Sequence, residues 1–133
     1  MDVKKTMMNT LEIPRERWLS FLNAFSVEHD GWLVSTEVLD PNLGAQPTAT
    51  DLPLVGIIAD RAESGLPKTV TILLGESQER HVAHAVACPT HLRVEQTQEG
   101  ADVALQIEAE DGTTTILRFR AVALPETVDG LAR

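Results

Sequence analysis

This chain of 133 residues has one cysteine, no tyrosine and no long apolar run. Its single cysteine, Cys88, excludes a disulfide within the chain and indicates a reducing compartment. No run of apolar residues is long enough to span a bilayer. The first ten residues carry two lysines with no apolar segment after them, so we expect no signal peptide. The sequence therefore predicts a protein of a reducing compartment.

Basic residues are also scarce. The 11 lysines and arginines stand against 20 aspartates and glutamates, which gives a formal net charge of −9. Nucleic-acid binding needs basic residues that neutralise phosphates, and anionic membranes attract basic segments. We therefore expect neither nucleic acid nor membrane among the partners, and a soluble, self-repelling surface.

Aromatic side chains make up 4% of the chain, and most of them fall in one amphipathic helix predicted over residues 14–29. Its apolar face follows the i, i+3, i+4, i+7 spacing, with Trp18, Phe21, Leu22 and Phe25. Pro14 suits the first helical position, and Gly31 suits a left-handed residue just after the helix. We expect this face to pack on the protein's own sheet, although it would also fit a partner's groove.

Beyond the helix, the pattern predicts strands separated by turns rich in glycine and proline. The predicted strands span residues 32–39, 54–60, 69–74, 80–87, 91–97, 102–109 and 113–121. Residues 40–53 contain three prolines and are predicted to form the longest loop. A short helical turn is expected at residues 125–129.

The turns of the last third predict the register of a meander. A three-residue loop with Gly112 in the left-handed conformation aligns the apolar rows of the last two strands, and the preceding turn does the same for the strand before them. The predicted facing pairs are Val103 with Phe119, Leu105 with Leu117, Ile107 with Thr115, Val94 with Leu105, and Leu92 with Ile107. On the outer face, Asp102 is expected to meet Arg120.

These elements predict an α+β fold. An N-terminal helix packs on six or seven mostly antiparallel strands, which form a curved sheet or a small, partly open barrel. Residues 1–12 are polar and are expected to be a flexible N-terminal segment. Residues 13–133 are expected to form one domain.

One cluster of residues has the composition of a metal site. Three of the four histidines and the only cysteine lie close together in the sequence: His81, His84, Cys88 and His91. Imidazole and thiolate are preferred zinc ligands. The strand geometry opposes a site, because His81 and His84 point to opposite faces unless a bulge lies near residue 83. The alternatives are a thiolate pair of Cys88 with His84 or His91, or two strand histidines, a semi-buried turn cysteine and an exposed His91.

Motifs for enzymatic activity are absent. The chain has no glycine-rich phosphate loop, no H-E-x-x-H and no G-x-S-x-G, so an enzyme is less expected than a non-enzymatic protein. Arg118 and Arg120 would either clamp an anion or form ion pairs with Glu108 or Asp102.

Three functional hypotheses follow. The first is a non-enzymatic binding or assembly module without a cofactor, expected to be a homodimer because the two edges of a small sheet need cover. The second is the metal- or thiol-dependent site described above, with zinc as its cofactor. The third is a small-molecule pocket between Trp18, Trp32 and the 40–53 loop.

The sequence resembles a family of small bacterial proteins of unknown function. The resemblance is carried by four segments, IPRERWLSFLNAF, HDGWLVSTEVL, LPLVGIIAD and EGADVALQIEAEDGTTTILRFRAVALPETVDG. It covers about residues 11–130. It implies a bacterial, cytoplasmic protein and assigns neither an activity nor a functional residue.

Overall fold

The computed structural model describes residues 8–61, 67–77 and 79–120, so the helical turn expected at 125–129 lies outside the described residues. In the described residues the elements follow one another as β1 (Met8–Glu12), a 3₁₀ helix (Arg15–Arg17), α1 (Trp18–Glu28), β2 (Leu33–Asp40), β3 (Gly44–Arg61), β4 (Pro67–Gly75), β5 (His81–Ala87), β6 (Pro89–Thr97), β7 (Asp102–Ala109) and β8 (Thr114–Phe119). None of these helices is long and apolar enough to cross a membrane.

All neighbouring strands are antiparallel, in the order β1-β6-β7-β8-β2-β3-β4-β5. Strand β3 belongs to two layers, because its first half pairs with β2 and its second half, from Leu54, pairs with β4. The first layer contains β1, β6, β7, β8, β2 and the first half of β3. The second layer contains the second half of β3, β4 and β5. The predicted α+β fold with an open antiparallel sheet is confirmed, but the described residues form eight strands rather than six or seven.

The additional strand is β1, which lies within the segment that we expected to be flexible. It pairs with β6 from Met8 opposite Thr97 to Glu12 opposite Arg93. The Glu12 carboxylate accepts a hydrogen bond from Arg93 Nε at 2.9 Å, and its other oxygen lies 2.9 Å from His91 Nδ1. Side-chain contacts to β6 thus hold a strand whose own residues are all exposed.

The prediction of a long loop at residues 40–53 is wrong. Strand β2 continues to Asp40, and β3 begins at Gly44 after a short turn. Pro47 and Pro53 lie opposite Glu37 and Leu33, with register shifts between them. Proline is tolerated here because the first half of β3 is an edge of the first layer, where a missing N–H leaves no ladder bond unmade.

The predicted helix is confirmed over Trp18–Glu28, but its first turn, Arg15–Arg17, is a 3₁₀ helix, and Pro14 is extended and precedes it instead of taking the first helical position. The apolar face of α1 packs on the protein's own sheet. Trp18, Leu22 and Phe25 are at most 2% exposed and belong to one core with residues from both layers. Full burial of such side chains stabilises the fold by about 1.5–3 kcal/mol each. Gly31 follows the helix with a φ of +85°, as expected of a left-handed helix end.

The predicted register of the meander is also confirmed. Four of the five predicted facing pairs are observed, Leu105 with Leu117, Ile107 with Thr115, Val94 with Leu105, and Leu92 with Ile107, and the pairing of β7 with β8 ends at Ala104 and Arg118, one residue before the fifth. Gly112 has a φ of +92°, which is the left-handed conformation that the three-residue loop requires. The meander therefore presents one apolar face to the core.

Candidate functional site

The structure does not bring the four predicted metal-binding residues together. The pairing of β4 with β5 runs without a bulge from Thr69–Ala87 to Gly75–His81, so His81 and His84 remain on opposite faces. His91 Nδ1 lies 2.9 Å from Glu12 Oε2. Cys88 is exposed and has a φ of +52° at the bend between β5 and β6.

His84 is the half-buried member of that set. Its Nε2 lies 3.3 Å from Thr115 Oγ1 on β8, so it faces the space between the two layers. Burial lowers the pKa of His84 below its ordinary value of 6.5. A neutral imidazole with a hydroxyl partner is an ordinary core histidine.

A different histidine, His29, belongs to a compact group of potential metal ligands. The described residues contain one group of at least three potential metal ligands whose ligand atoms lie within 4.8 Å of one another, Glu28, His29 and Asp102. His29 is 2% exposed and follows the last turn of α1. Its Nδ1 lies 2.8 Å from the carbonyl oxygen of Phe25, and its Nε2 lies 3.1 Å from Asp102 Oδ2. We call this group the His29 site.

Strands β6 and β7 position the carboxylate of this site. Asp102 opens β7 opposite Gln96 of β6, and Gln96 Nε2 donates a hydrogen bond to Asp102 Oδ1 at 2.8 Å. The predicted contact of Asp102 with Arg120 is therefore replaced by contacts with the helix end and β6. Arg118 instead donates to Glu37 Oε2 at 3.1 Å on β2.

Aromatic rings enclose the imidazole. The His29 ring stacks on Phe119 with centroids 4.6 Å apart, and it lies 4.2 Å from the Phe25 ring. Trp32 meets it edge-on at 4.7 Å and is itself 45% exposed. The carboxylate of Glu28 is exposed, so the site is apolar on one side and open to solvent on the other.

A second candidate region is the outer face of the second layer. Val55 and Ile58 of β3 are 54% and 55% exposed. Ile58 lies beside small residues of the neighbouring strands, since it pairs with Thr71 and Thr71 pairs with Ala85. One end of this layer carries a shallow apolar groove, lined by Val55, Leu73, Val82 and neighbouring residues.

Among the residues that the structure describes, strand β5 ends this layer and pairs with β4 on one side only. The backbone N–H of Cys88 donates to Lys68 O, and the N–H of Glu76 donates to Arg80 O, on either side of the β4–β5 ladder. Because hydrogen-bonded pairs alternate along an antiparallel ladder, Ala83 and Ala85 direct their backbone groups away from β4. We call this row of backbone groups the β5 edge.

Comparisons with known proteins name a family and no activity. A family model described as "Family of unknown function (DUF5335)" matches residues 9–127. An uncharacterized protein of Aquifex aeolicus (strain VF5) is 29% identical over 120 residues, which cover 90% of this chain and 100% of that protein. No solved structure matches the chain.

Proposed function

Because the chain belongs to the DUF5335 family, whose function is unknown, we propose its role from its geometry: a non-enzymatic assembly module that acts as a homodimer joined along the β5 edge. The observation that carries this proposal is the chemistry of β5. Its seven residues, HVAHAVA, contain no proline, lysine or acidic residue. Natural proteins use such residues to block exposed edges, so an edge without them is suited to pairing.

The other three edges that the described residues leave are better protected. The second half of β3 is covered by α1, whose Ser26 bonds the Ile57 backbone. The first half of β3 carries two prolines and two register shifts. Strand β1 has only five residues and ends with a charged side chain. Short strands, bulges, prolines and charges each discourage pairing between edges. The β5 edge is therefore the one at which a second strand would add with least opposition.

The partner that fits this edge is a second copy of the chain. Residues 82–86 read Val-Ala-His-Ala-Val in both directions. A two-fold axis at His84 would set Ala83 opposite Ala85 of the partner subunit, in a hydrogen-bonded pair that exchanges both backbone bonds. Every residue of this segment would then face a residue of equal size, and no charge would face a like charge.

The outer face beside this edge supports the same assembly. Leu73 of β4 lies next to β5, opposite Ala83, and the exposed Val55 and Ile58 lie one strand further away on β3. The apolar surface would continue across the two-fold axis. The chain has a net charge of −9, so two copies repel each other over most of their surface. Contact through an uncharged strand and its uncharged neighbours keeps that repulsion small.

We also propose that the protein works in a reducing bacterial compartment. Cys88 is an exposed, free thiol in the bend after β5. Such thiols persist where glutathione and thioredoxin keep them reduced. The relative from Aquifex aeolicus is likewise bacterial.

Analytical ultracentrifugation of the purified chain tests the dimer, with Ala85→Pro as the variant and Ala85→Val as the matched control. Proline removes the N–H at the β5 edge but no bond to β4, so the variant is expected to be a folded monomer. Valine keeps the N–H and is expected to remain a dimer. Circular dichroism checks the fold of both variants.

A second variant, Ala83→Lys, covers the case in which Ala85→Pro does not fold. An edge lysine is expected to disrupt pairing without removing any backbone bond. A wild-type chain that stays monomeric when its concentration is raised in 100-fold steps to the millimolar range contradicts the proposal. So does a dimer that both variants leave intact.

A further inference from the structure

His29 has an oxygen atom in front of each of its ring nitrogens. Nδ1 lies 2.8 Å from the Phe25 carbonyl oxygen and Nε2 lies 3.1 Å from Asp102 Oδ2. A neutral imidazole carries one N–H, so it donates to only one of these acceptors. The ring is 2% exposed, and bulk water does not separate Nε2 from the carboxylate. A cation therefore belongs between them, either a second proton or a metal ion.

Glu28 distinguishes the two cations. Its carboxylate contributes a third ligand atom, and all three atoms lie within 4.8 Å of one another. A second proton on His29 would be hydrogen-bonded to Asp102 alone, and Glu28 would then have no bond to the cation. A divalent ion would bind all three groups and neutralise both carboxylates, so the third donor favours a metal.

The distance between the His29 and Asp102 donors also suits a metal. Zinc binds nitrogen and oxygen ligands at about 2.0–2.2 Å, which places adjacent ligands about 3–3.5 Å apart at tetrahedral or octahedral angles. The 3.1 Å between Nε2 and Asp102 Oδ2 lies within that range. The Glu28 side chain is exposed, long and flexible, so its carboxylate reaches the metal-binding position by rotation.

We propose that Glu28, His29 and Asp102 bind one divalent transition-metal ion, with His29 as a ligand through Nε2. One imidazole and two carboxylates suit zinc, manganese or ferrous iron better than soft-metal sites, which need thiolates. Three protein donors leave a further position open on the solvent side. That open position would accept water or an anionic group of a small molecule.

The residues around the site orient its ligands. The Phe25 carbonyl accepts the proton of Nδ1, which directs the lone pair of Nε2 toward Asp102. Gln96 holds the other oxygen of Asp102 at 2.8 Å. Metal-binding histidines and carboxylates typically have such outer partners, whose loss costs about 10–100-fold in metal affinity. Phe119, stacked on the ring, keeps it from rotating.

Zinc titration of the full chain, by calorimetry and by competition with a chelating dye, tests the proposal. We expect one equivalent to bind, with affinity lowered at least 10-fold in Glu28→Gln and Asp102→Asn and about 10–100-fold in Gln96→Ala. The matched control is Glu16→Gln, which removes an exposed carboxylate from the 3₁₀ helix. A triple variant, His81→Gln with Cys88→Ser and His91→Gln, is expected to bind zinc like the wild type.

Nitrogen-15 NMR of the histidine rings supplies a readout that stability does not affect. On zinc addition we expect Nε2 of His29 to shift as a metal-bound nitrogen while Nδ1 keeps its proton. No binding up to 1 mM zinc, or two protons retained on the ring in excess zinc, overturns the proposal. So does binding that Glu28→Gln and Asp102→Asn leave unchanged. The site lies on α1 and β7, so these outcomes do not depend on the β5 edge.

Discussion

The Ser26 hydroxyl and the Ile57 backbone form a reciprocal pair of hydrogen bonds. The Ile57 N–H donates to Ser26 Oγ at 2.8 Å, and Ser26 Oγ lies 3.3 Å from the Ile57 carbonyl oxygen, to which it donates. Strand β2 no longer pairs with β3 at this point, because the two strands part beyond Pro53. One helix side chain therefore satisfies the backbone where β3 leaves the first layer.

Removal of this hydroxyl is expected to destabilise the fold. Ser26→Ala leaves a partly buried N–H and carbonyl without their partner, which costs about 1–3 kcal/mol in the free energy of unfolding. Urea denaturation measures the change. The control is Ser20→Ala, whose hydroxyl is exposed and bonds only within the helix start; it is expected to change stability by less than about 0.5 kcal/mol. Equal effects of the two variants would contradict the role given to Ser26.

A methyl group at Gly75 is expected to be costly. Gly75 has a φ of +149°, and an added Cβ would lie 2.5 Å from the Arg80 carbonyl oxygen. Backbone strain and the clash together predict a loss of about 1–3 kcal/mol in Gly75→Ala. Gly56→Ala is the control, because a Cβ there meets no atom within 4 Å. Thermal unfolding of the two variants checks the difference, and a Gly75→Ala midpoint equal to that of Gly56→Ala would refute it.

The half-buried His84 predicts a loss of stability in mild acid. Burial lowers the pKa of His84 in the folded state from 6.5. The unfolded chain then binds more protons between the two pKa values, so the free energy of unfolding falls as the pH drops below about 6.5. His84→Gln cannot gain this proton and is expected to flatten the slope between pH 7.5 and 5. Denaturant titrations across that range measure it; an unchanged slope would rule out His84 as the cause.

The contacts of Glu12 predict how β1 is held. The hydrogen bond from His91 is the main reason why the pKa of Glu12 lies below its ordinary value of 4.5, and Arg93 adds to it. The stabilisation is present above pH 4.5 and is lost as the pH falls through the lowered pKa.

Because Glu12 is half exposed, Glu12→Gln is expected to cost no more than about 1 kcal/mol in global stability. Its main effect is expected to be faster amide hydrogen exchange in β1, without a change in β7. Glu16→Gln serves as the control. Equal exchange of β1 in both variants would show that its backbone pairing alone holds the strand.

The register of β6, β7 and β8 could be predicted because each strand has one apolar row and each turn has a fixed length. Strand β1 could not, since its two apolar residues, Met8 and Leu11, fall on opposite faces and form no apolar row, and its position depends on the edge of β6. The first half of β3 was hidden by its prolines. A proline argues against a central strand, and only the sheet order shows that this segment is an edge.

The candidate site was only partly visible in the sequence. His29 continues the apolar face of the helix, eleven residues after Trp18 and four after Phe25, and a histidine on such a face was a usable signal. Its partner Asp102 is far away in the chain and resembles a surface residue of a strand start. The cluster of His81, His84, Cys88 and His91 shows the opposite case, because residues close in sequence are separated by the pleat of β5 and the bend at Cys88.

The order of the first layer has a consequence for the newly made chain. Strands β1 and β2 leave the ribosome early, yet the three last strands, β6, β7 and β8, lie between them in the sheet. Glu12 cannot pair until Arg93 has been synthesised, and Val34 cannot pair until Phe119 has been synthesised. Such long-range pairing slows folding and leaves strand edges exposed meanwhile. A ribosome stalled before residue 89 should therefore hold a chain whose first layer is still incomplete and open to chaperones.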